Sequence, residues 1–128
     1  MNIYLDVNGV FFKRGEIASD IEEFLKYITD NHNVYWLTTY CKGDADDTVN
    51  YLKLFLPKTV IPYIKKIKET NWNIYKTEAI NFSEDFRWID DSVEAHEILV
   101  LKDKGFYDNW IKVNLDNKDE LLRIIKLI

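Results

Sequence analysis

Four short apolar runs punctuate the chain: Ile3–Leu5, Val34–Leu37, Phe86–Ile89 and Trp110–Leu115. Each is rich in β-branched or aromatic residues, the pattern of a strand buried on both faces. Helical patterns lie between them. Ser19 and Glu22 have the spacing of a capping box, followed by Ile21, Phe24, Leu25 and Ile28 at helical intervals. Asp44, Asp46 and Asp47 enrich a helix start before Val49, Leu52 and Phe55, and Pro57 marks its end. A further helix is predicted over about Ser92 to Leu101. Asn117 is expected to cap a last one, with Leu121, Leu122, Ile125 and Ile128 on one face. Lys58–Asn73 follows neither period, and Val60–Ile64 is a candidate extra strand.

Strands alternating with helices imply an α/β fold: a three-layer, Rossmann-like parallel sheet with helices on both faces. Nothing resembling a linker, repeat or low-complexity segment divides the sequence, so residues 1–128 read as a single domain. In such a sheet the ligand site lies beyond the carboxyl ends of the strands. Asp6 follows the first run, Thr38 and Thr39 the second, Asp90 and Asp91 the third. Acids and hydroxyls therefore gather on one rim.

Composition narrows the partners. Hydrophobic residues at 47% and charged residues at 30% give the balance of a soluble globular protein. The formal charge of −5 weighs against a general nucleic-acid coat, and Lys65, Lys66 and Lys68 read first as a solvated face. Cys41 is the lone cysteine, which excludes an internal disulfide and fits a reducing compartment. With no signal-peptide layout and no run long enough to span a bilayer, a cytoplasmic protein without membrane partners is expected. His32 and His96 lack metal-ligand spacing, and Tyr40, Trp72 and Trp88 can stack on a ligand ring or simply pack.

Asp6, Asp90 and Asp91 in one crevice would repel one another unless a cation intervened. Carboxylate oxygens with a backbone carbonyl suit Mg²⁺. A hydroxyl from Thr38 and the charge of Lys76, in "IYKTEAI", complete a phosphoryl-binding set in which a carboxylate can act as nucleophile.

The ordered set Asp6-Val7-Asn8-Gly9-Val10, "VYWLTT", Lys76 and "FRWIDDS" resembles the haloacid dehalogenase-like (HAD) superfamily of aspartate-nucleophile phosphotransferases, from residue 3 to about residue 100. "YWLTTY", "KTEA" and "WIDDS" look like the small HAD domains grouped with bacterial RNA-repair proteins. The resemblance implies an aspartyl-phosphate at Asp6, which would also ligate Mg²⁺ together with the backbone carbonyl of Asn8. Thr38 and Lys76 would hold the phosphoryl group, with Thr39 and the backbone at Val7 and Gly9 beside it. Asp91 would touch the metal, and Asp90 the lysine or a metal-bound water. Receiver domains share these residue types but place the acidic pair first, so the order here favours the HAD reading.

Asn8 departs from that pattern. Phosphatases of the family carry an aspartate there as general acid and base, and an amide cannot exchange a proton usefully. General acid–base catalysis contributes roughly 10²–10⁴-fold, and turnover should be slowed by about that factor. Action on good leaving groups only, a long-lived phosphoenzyme, and a catalytically inactive module that binds a phosphorylated ligand or protein partner all fit this residue. Processing of a nucleic-acid terminal phosphate rests on the resemblance alone. Room for a folded cap exists neither around "KRG" (Lys13 to Gly15), read as a tight hairpin flap, nor between Thr38 and Lys76. A capless, open site fits a macromolecular substrate or a lid from a partner chain.

Overall fold

The computed structural model describes residues 1–128. Its main sheet has four parallel strands in the order β4-β1-β5-β6, with β1 at Asn2–Leu5, β4 at Asn33–Trp36, β5 at Phe86–Asp90 and β6 at Trp110–Lys112. A separate antiparallel ribbon pairs β2 (Phe12–Lys13) with β3 (Glu16–Ile17). Arg14 and Gly15 turn it with φ of 52° and 78°, so the expected hairpin forms through two left-handed residues.

Helices flank the sheet: α1 (Ile21–Asn31), α2 (Ala45–Leu52), the single turn α3 (Ile61–Ile64), α4 (Ala95–Lys104) and α5 (Glu120–Leu127). Alternation along β1 explains why both faces are covered. Ile3 and Leu5 join the larger apolar cluster with Phe24, Leu25 and Ile28 of α1 and Leu121 and Ile124 of α5. Tyr4 points to the other cluster, with Phe86, Trp88 and Leu101 of α4. None of the helices is long and apolar enough to cross a membrane.

Several local expectations are corrected. Val60–Ile64 is not a strand: Lys58–Val60 forms a 3₁₀ turn running into α3, where Pro62 occupies the first turn and needs no hydrogen-bond acceptor. Only Lys68 bridges to β4, exchanging backbone bonds with Val34 and Trp36. Ser19 does not cap α1. The N-cap is Asp20 in the left-handed region, without a side-chain cap bond. Asn117 does not cap α5 either, because the Asn114 side chain accepts the Asp116 N–H and folds 114–117 into a turn, moving the N-cap to Asp119. On α5, Leu121 and Ile124 are buried, whereas Leu122, Ile125 and Ile128 are half-buried. The helix predicted from Ser92 starts at Ala95, and the last strand stops at Lys112, opposite the end of β5. Phe55 lies beyond α2 and is 51% exposed.

Candidate phosphoryl-transfer site

The register of the sheet builds the site. Leu5 pairs with Trp36 on one side and Ile89 on the other, and Ile89 pairs with Ile111. The residues one step further, Asp6, Leu37, Asp90 and Lys112, therefore form a row along the carboxyl edge. The ladder extends into that row, with Asp6 N–H donating to Ile89 C=O at 3.1 Å and Leu37 N–H to Leu5 C=O at 2.8 Å. The indole N–H of Trp110 holds the Asp90 carbonyl at 3.0 Å. Asp6 and Asp90 are thus carried on rigid backbone rather than on free loop.

Lys76 joins them. Its Nζ lies 3.3 Å from Asp6 Oδ2 and 3.0 Å from Asp90 Oδ2, and the other Asp90 oxygen accepts the Ser92 N–H at 3.2 Å. Burial is the main influence on Asp90, reinforced by the charge of Asp6. Together they outweigh Lys76 and the Ser92 N–H and push the Asp90 carboxyl up to about 8. Burial acts to lower the Lys76 ammonium, but Asp90 and Asp6 prevail and hold it above the usual lysine value.

Asp91 comes from the other side. One carboxylate oxygen from each of Asp6, Asp90 and Asp91 lies within 4.8 Å of the others. Gly9, with φ of 78°, leaves the space that the Asp91 carboxylate fills, since a Cβ at Gly9 would overlap Asp91 Cγ and Oδ2. Three carboxylates against the Lys76 ammonium leave this cluster two negative charges in excess if all are ionised, with Lys13 and Lys112 lining the cavity on the Asp91 side. That donor set, all hard oxygen, fits a divalent cation such as Mg²⁺.

Other expected residues take particular places. The N–H groups of Val7 and Asn8 donate to no acceptor in the chain, whereas Gly9 N–H is spent on the Phe12 carbonyl at 3.0 Å. Thr38 is fully buried, and its hydroxyl oxygen accepts the Tyr40 N–H at 3.4 Å. Thr39 is exposed and lines the cleft above Asp6. Asn8 is exposed, and its amide donates to the Tyr40 hydroxyl at 3.0 Å, tying the loop after β1 to the loop after β4.

Two residues escaped the sequence reading. Glu97 of α4 is 3% exposed and accepts the N–H groups of Thr77 at 3.3 Å and Glu94 at 3.4 Å, fixing the 3₁₀ turn Lys76–Ala79 against the helix. Glu78 accepts three consecutive N–H groups, from Asn73, Ile74 and Tyr75, at 2.8–3.1 Å, which hold its carboxyl below the usual range. No spacing signal marks either residue beyond glutamates near helix starts.

The cleft above Asp6, Lys76 and Asp90 has a volume of about 280 Å³ and is walled further by Trp72, Ile74 and Val93. No protein-family model, no curated protein and no solved structure matches this chain.

Proposed function

We propose that the chain is a capless, three-layer HAD-like domain that binds Mg²⁺ and catalyses phosphomonoester hydrolysis or phosphoryl transfer through Asp6. The observation that carries this reading is Lys76 bridging Asp6 at 3.3 Å and Asp90 at 3.0 Å, with Asp91 completing the acidic triangle. A lysine and two carboxylates alone would make an ordinary buried ion pair. The third carboxylate, packed against Gly9, raises the excess from one negative charge to two if all are ionised, which the lysine does not neutralise.

Asp6, Asp91 and the Asn8 carbonyl are the groups that would hold the metal, with Asp90 beside them. When bound, Mg²⁺ supplies positive charge to phosphoryl oxygens and offsets the mutual repulsion of the carboxylates. The chain's own residues do the rest. An oxygen of Asp6 attacks phosphorus in line, the bond to the leaving oxygen breaks, and an aspartyl-phosphate forms. Lys76 and the free N–H groups of Val7 and Asn8 stabilise the phosphoryl oxygens. Thr39 offers a hydroxyl from the cleft wall, and Thr38 keeps its hydroxyl hydrogen to donate. Water then attacks the same phosphorus, which releases phosphate and restores Asp6. Asn8 neither protonates the leaving oxygen nor activates that water, so both steps run without a general acid or base from this position.

The second reading is a phospho-ligand binding module without turnover, favoured by Asn8 and its engagement with Tyr40. Magnesium-dependent hydrolysis of an activated aryl phosphate separates the two. Wild-type turnover that rises on Asn8→Asp and vanishes on Asp6→Asn supports the enzyme. Absence of turnover even after Asn8→Asp would refute it.

A further inference from the structure

Ile74 is 72% exposed, and the Glu78 carboxylate ties down the backbone on either side of it. Its N–H donates to Glu78 at 3.1 Å, and those of Asn73 and Tyr75 donate to the same carboxylate. An exposed β-branched side chain on a tethered backbone presents apolar surface at the edge of a polar cleft. Val93 lies on the same wall, and Trp72 backs it, with the Lys42 ammonium 4.0 Å from its ring centroid. Trp72 is 8% exposed, and its indole N–H has no hydrogen-bond partner.

The charges around this wall point the same way. Lys76 is the one cation lining the cleft, and it is already engaged by Asp6 and Asp90. The other charged lining groups are Glu94 and the buried Glu97, both acidic, while Lys42 behind Trp72 is held by that ring and by the Asn73 carbonyl at 3.4 Å. A second phosphate or carboxylate on a ligand would meet repulsion there, while an uncharged apolar group would cover Ile74 and Val93.

Building on the phosphoryl reading above, we infer that the cleft selects a small phosphomonoester whose organic part is uncharged and apolar or aromatic, with Ile74 and Val93 as the specificity contacts. Removing about 60 Å² of apolar surface from water corresponds to about tenfold in affinity. A phosphate at the end of a polyanion is disfavoured by the same wall.

Calorimetric titration of the full chain with non-hydrolysable phosphonates in Mg²⁺ tests this, with intrinsic tryptophan fluorescence as a second readout. The probes are methylphosphonate, 2-naphthylmethylphosphonate and 2-carboxyethylphosphonate. The naphthyl compound should bind about tenfold more tightly than methylphosphonate, and the carboxylate compound no more tightly. Ile74→Ser, at an exposed position that the fold does not need, should narrow the naphthyl advantage to about twofold, and Ile74→Leu should keep it. If methylphosphonate binds and the naphthyl compound gains nothing, the phosphoryl reading stands and this inference is overturned. An advantage for the carboxylate compound overturns it as well. If none of the three binds, both readings fall together.

Discussion

Gly9 and Asp91 are packed so closely that the carboxylate of one occupies the space where the other would carry a Cβ. The contact joins the loop after β1 to the residue after β5. It sets Asp91 beside Asp6 at the same time, because Gly9 lies three residues beyond the proposed nucleophile. Gly9→Ala therefore brings two separate penalties: a steric overlap with Asp91, and a left-handed backbone at φ of 78°, which costs a non-glycine residue about 1 kcal/mol.

Gly9→Ala should destabilise the protein by about 1–3 kcal/mol in denaturant unfolding. In the background of Asp91→Gly the overlap disappears and about 1 kcal/mol of backbone strain should remain. The double-mutant cycle reads the difference. Equal costs in both backgrounds would show that Asp91 and Gly9 are not coupled.

The part of this arrangement that the sequence makes legible is the chemistry at the strand ends. Asp6, Asp90, Asp91 and the strands that carry them follow from short apolar runs that stop abruptly at acids, since burial on both faces leaves few other readings for such runs. The parallel sheet flanked by helices follows from the same alternation. Lys76 stands out only through its order in the set, and its partners Asp6 and Asp90 become visible once the sheet has placed them. What the sequence conceals depends on distant contacts. "VIPYI" has strand-like composition, yet Pro62 and the need to cover α1 make it helical. In the apolar run Ile98–Leu101 helical rotation leaves Leu101 alone fully buried and Leu99 66% exposed. Glu97 shows in the sequence only as a glutamate near a helix start, because the contact that matters is with the Thr77 N–H, twenty residues earlier in the chain.

Lys76 is the sole cation between two buried acids, so above about pH 8, where Asp90 is ionised, its removal leaves like charges facing each other. At such a pH Lys76→Met should cost about 3 kcal/mol, the scale for leaving a buried charge without its partner. Adding Asp90→Asn should recover much of that loss by removing the charge that Lys76 balanced. Unfolding midpoints of the two single variants and the double variant measure it. A double variant no more stable than Lys76→Met would mean that the lysine serves packing rather than charge.

Asp90 gives the fold a pH dependence of definite sign. Its carboxyl rises from an ordinary 3.8 to about 8 on folding, mainly through burial and then through Asp6. Between those values the folded chain keeps a proton that the unfolded chain has lost, so stability falls as pH climbs from about 4 to about 8. A cation drawn to the carboxylates competes with that proton. Millimolar Mg²⁺ should therefore raise the melting temperature more at pH 8.5 than at pH 6, and Asp90→Asn should flatten the metal-free pH dependence. Thermal melts at both pH values, with and without Mg²⁺, test both statements. A larger Mg²⁺ effect at pH 6 would exclude proton competition at Asp90.

Glu97 positions Lys76 without touching it. Its carboxylate accepts the Thr77 N–H at 3.3 Å and so fixes the turn whose first residue is Lys76, while its second oxygen accepts the Glu94 N–H at the start of α4. Glu97→Gln keeps one carbonyl acceptor in place, whereas Glu97→Leu keeps the bulk and removes both. On the proposed function, a misplacement of the lysine by a fraction of an ångström would weaken its contact with a phosphoryl oxygen more than it weakens the fold. Aryl phosphate turnover should drop about tenfold or more in Glu97→Leu and only about threefold or less in Glu97→Gln, with the loss in kcat rather than KM. Leaving the buried N–H of Thr77 unpaired should cost about 1–3 kcal/mol of stability in Glu97→Leu. Equal turnover in the two variants, at temperatures where both are folded, would place the role of Glu97 in the stability of α4 and remove it from the positioning of Lys76.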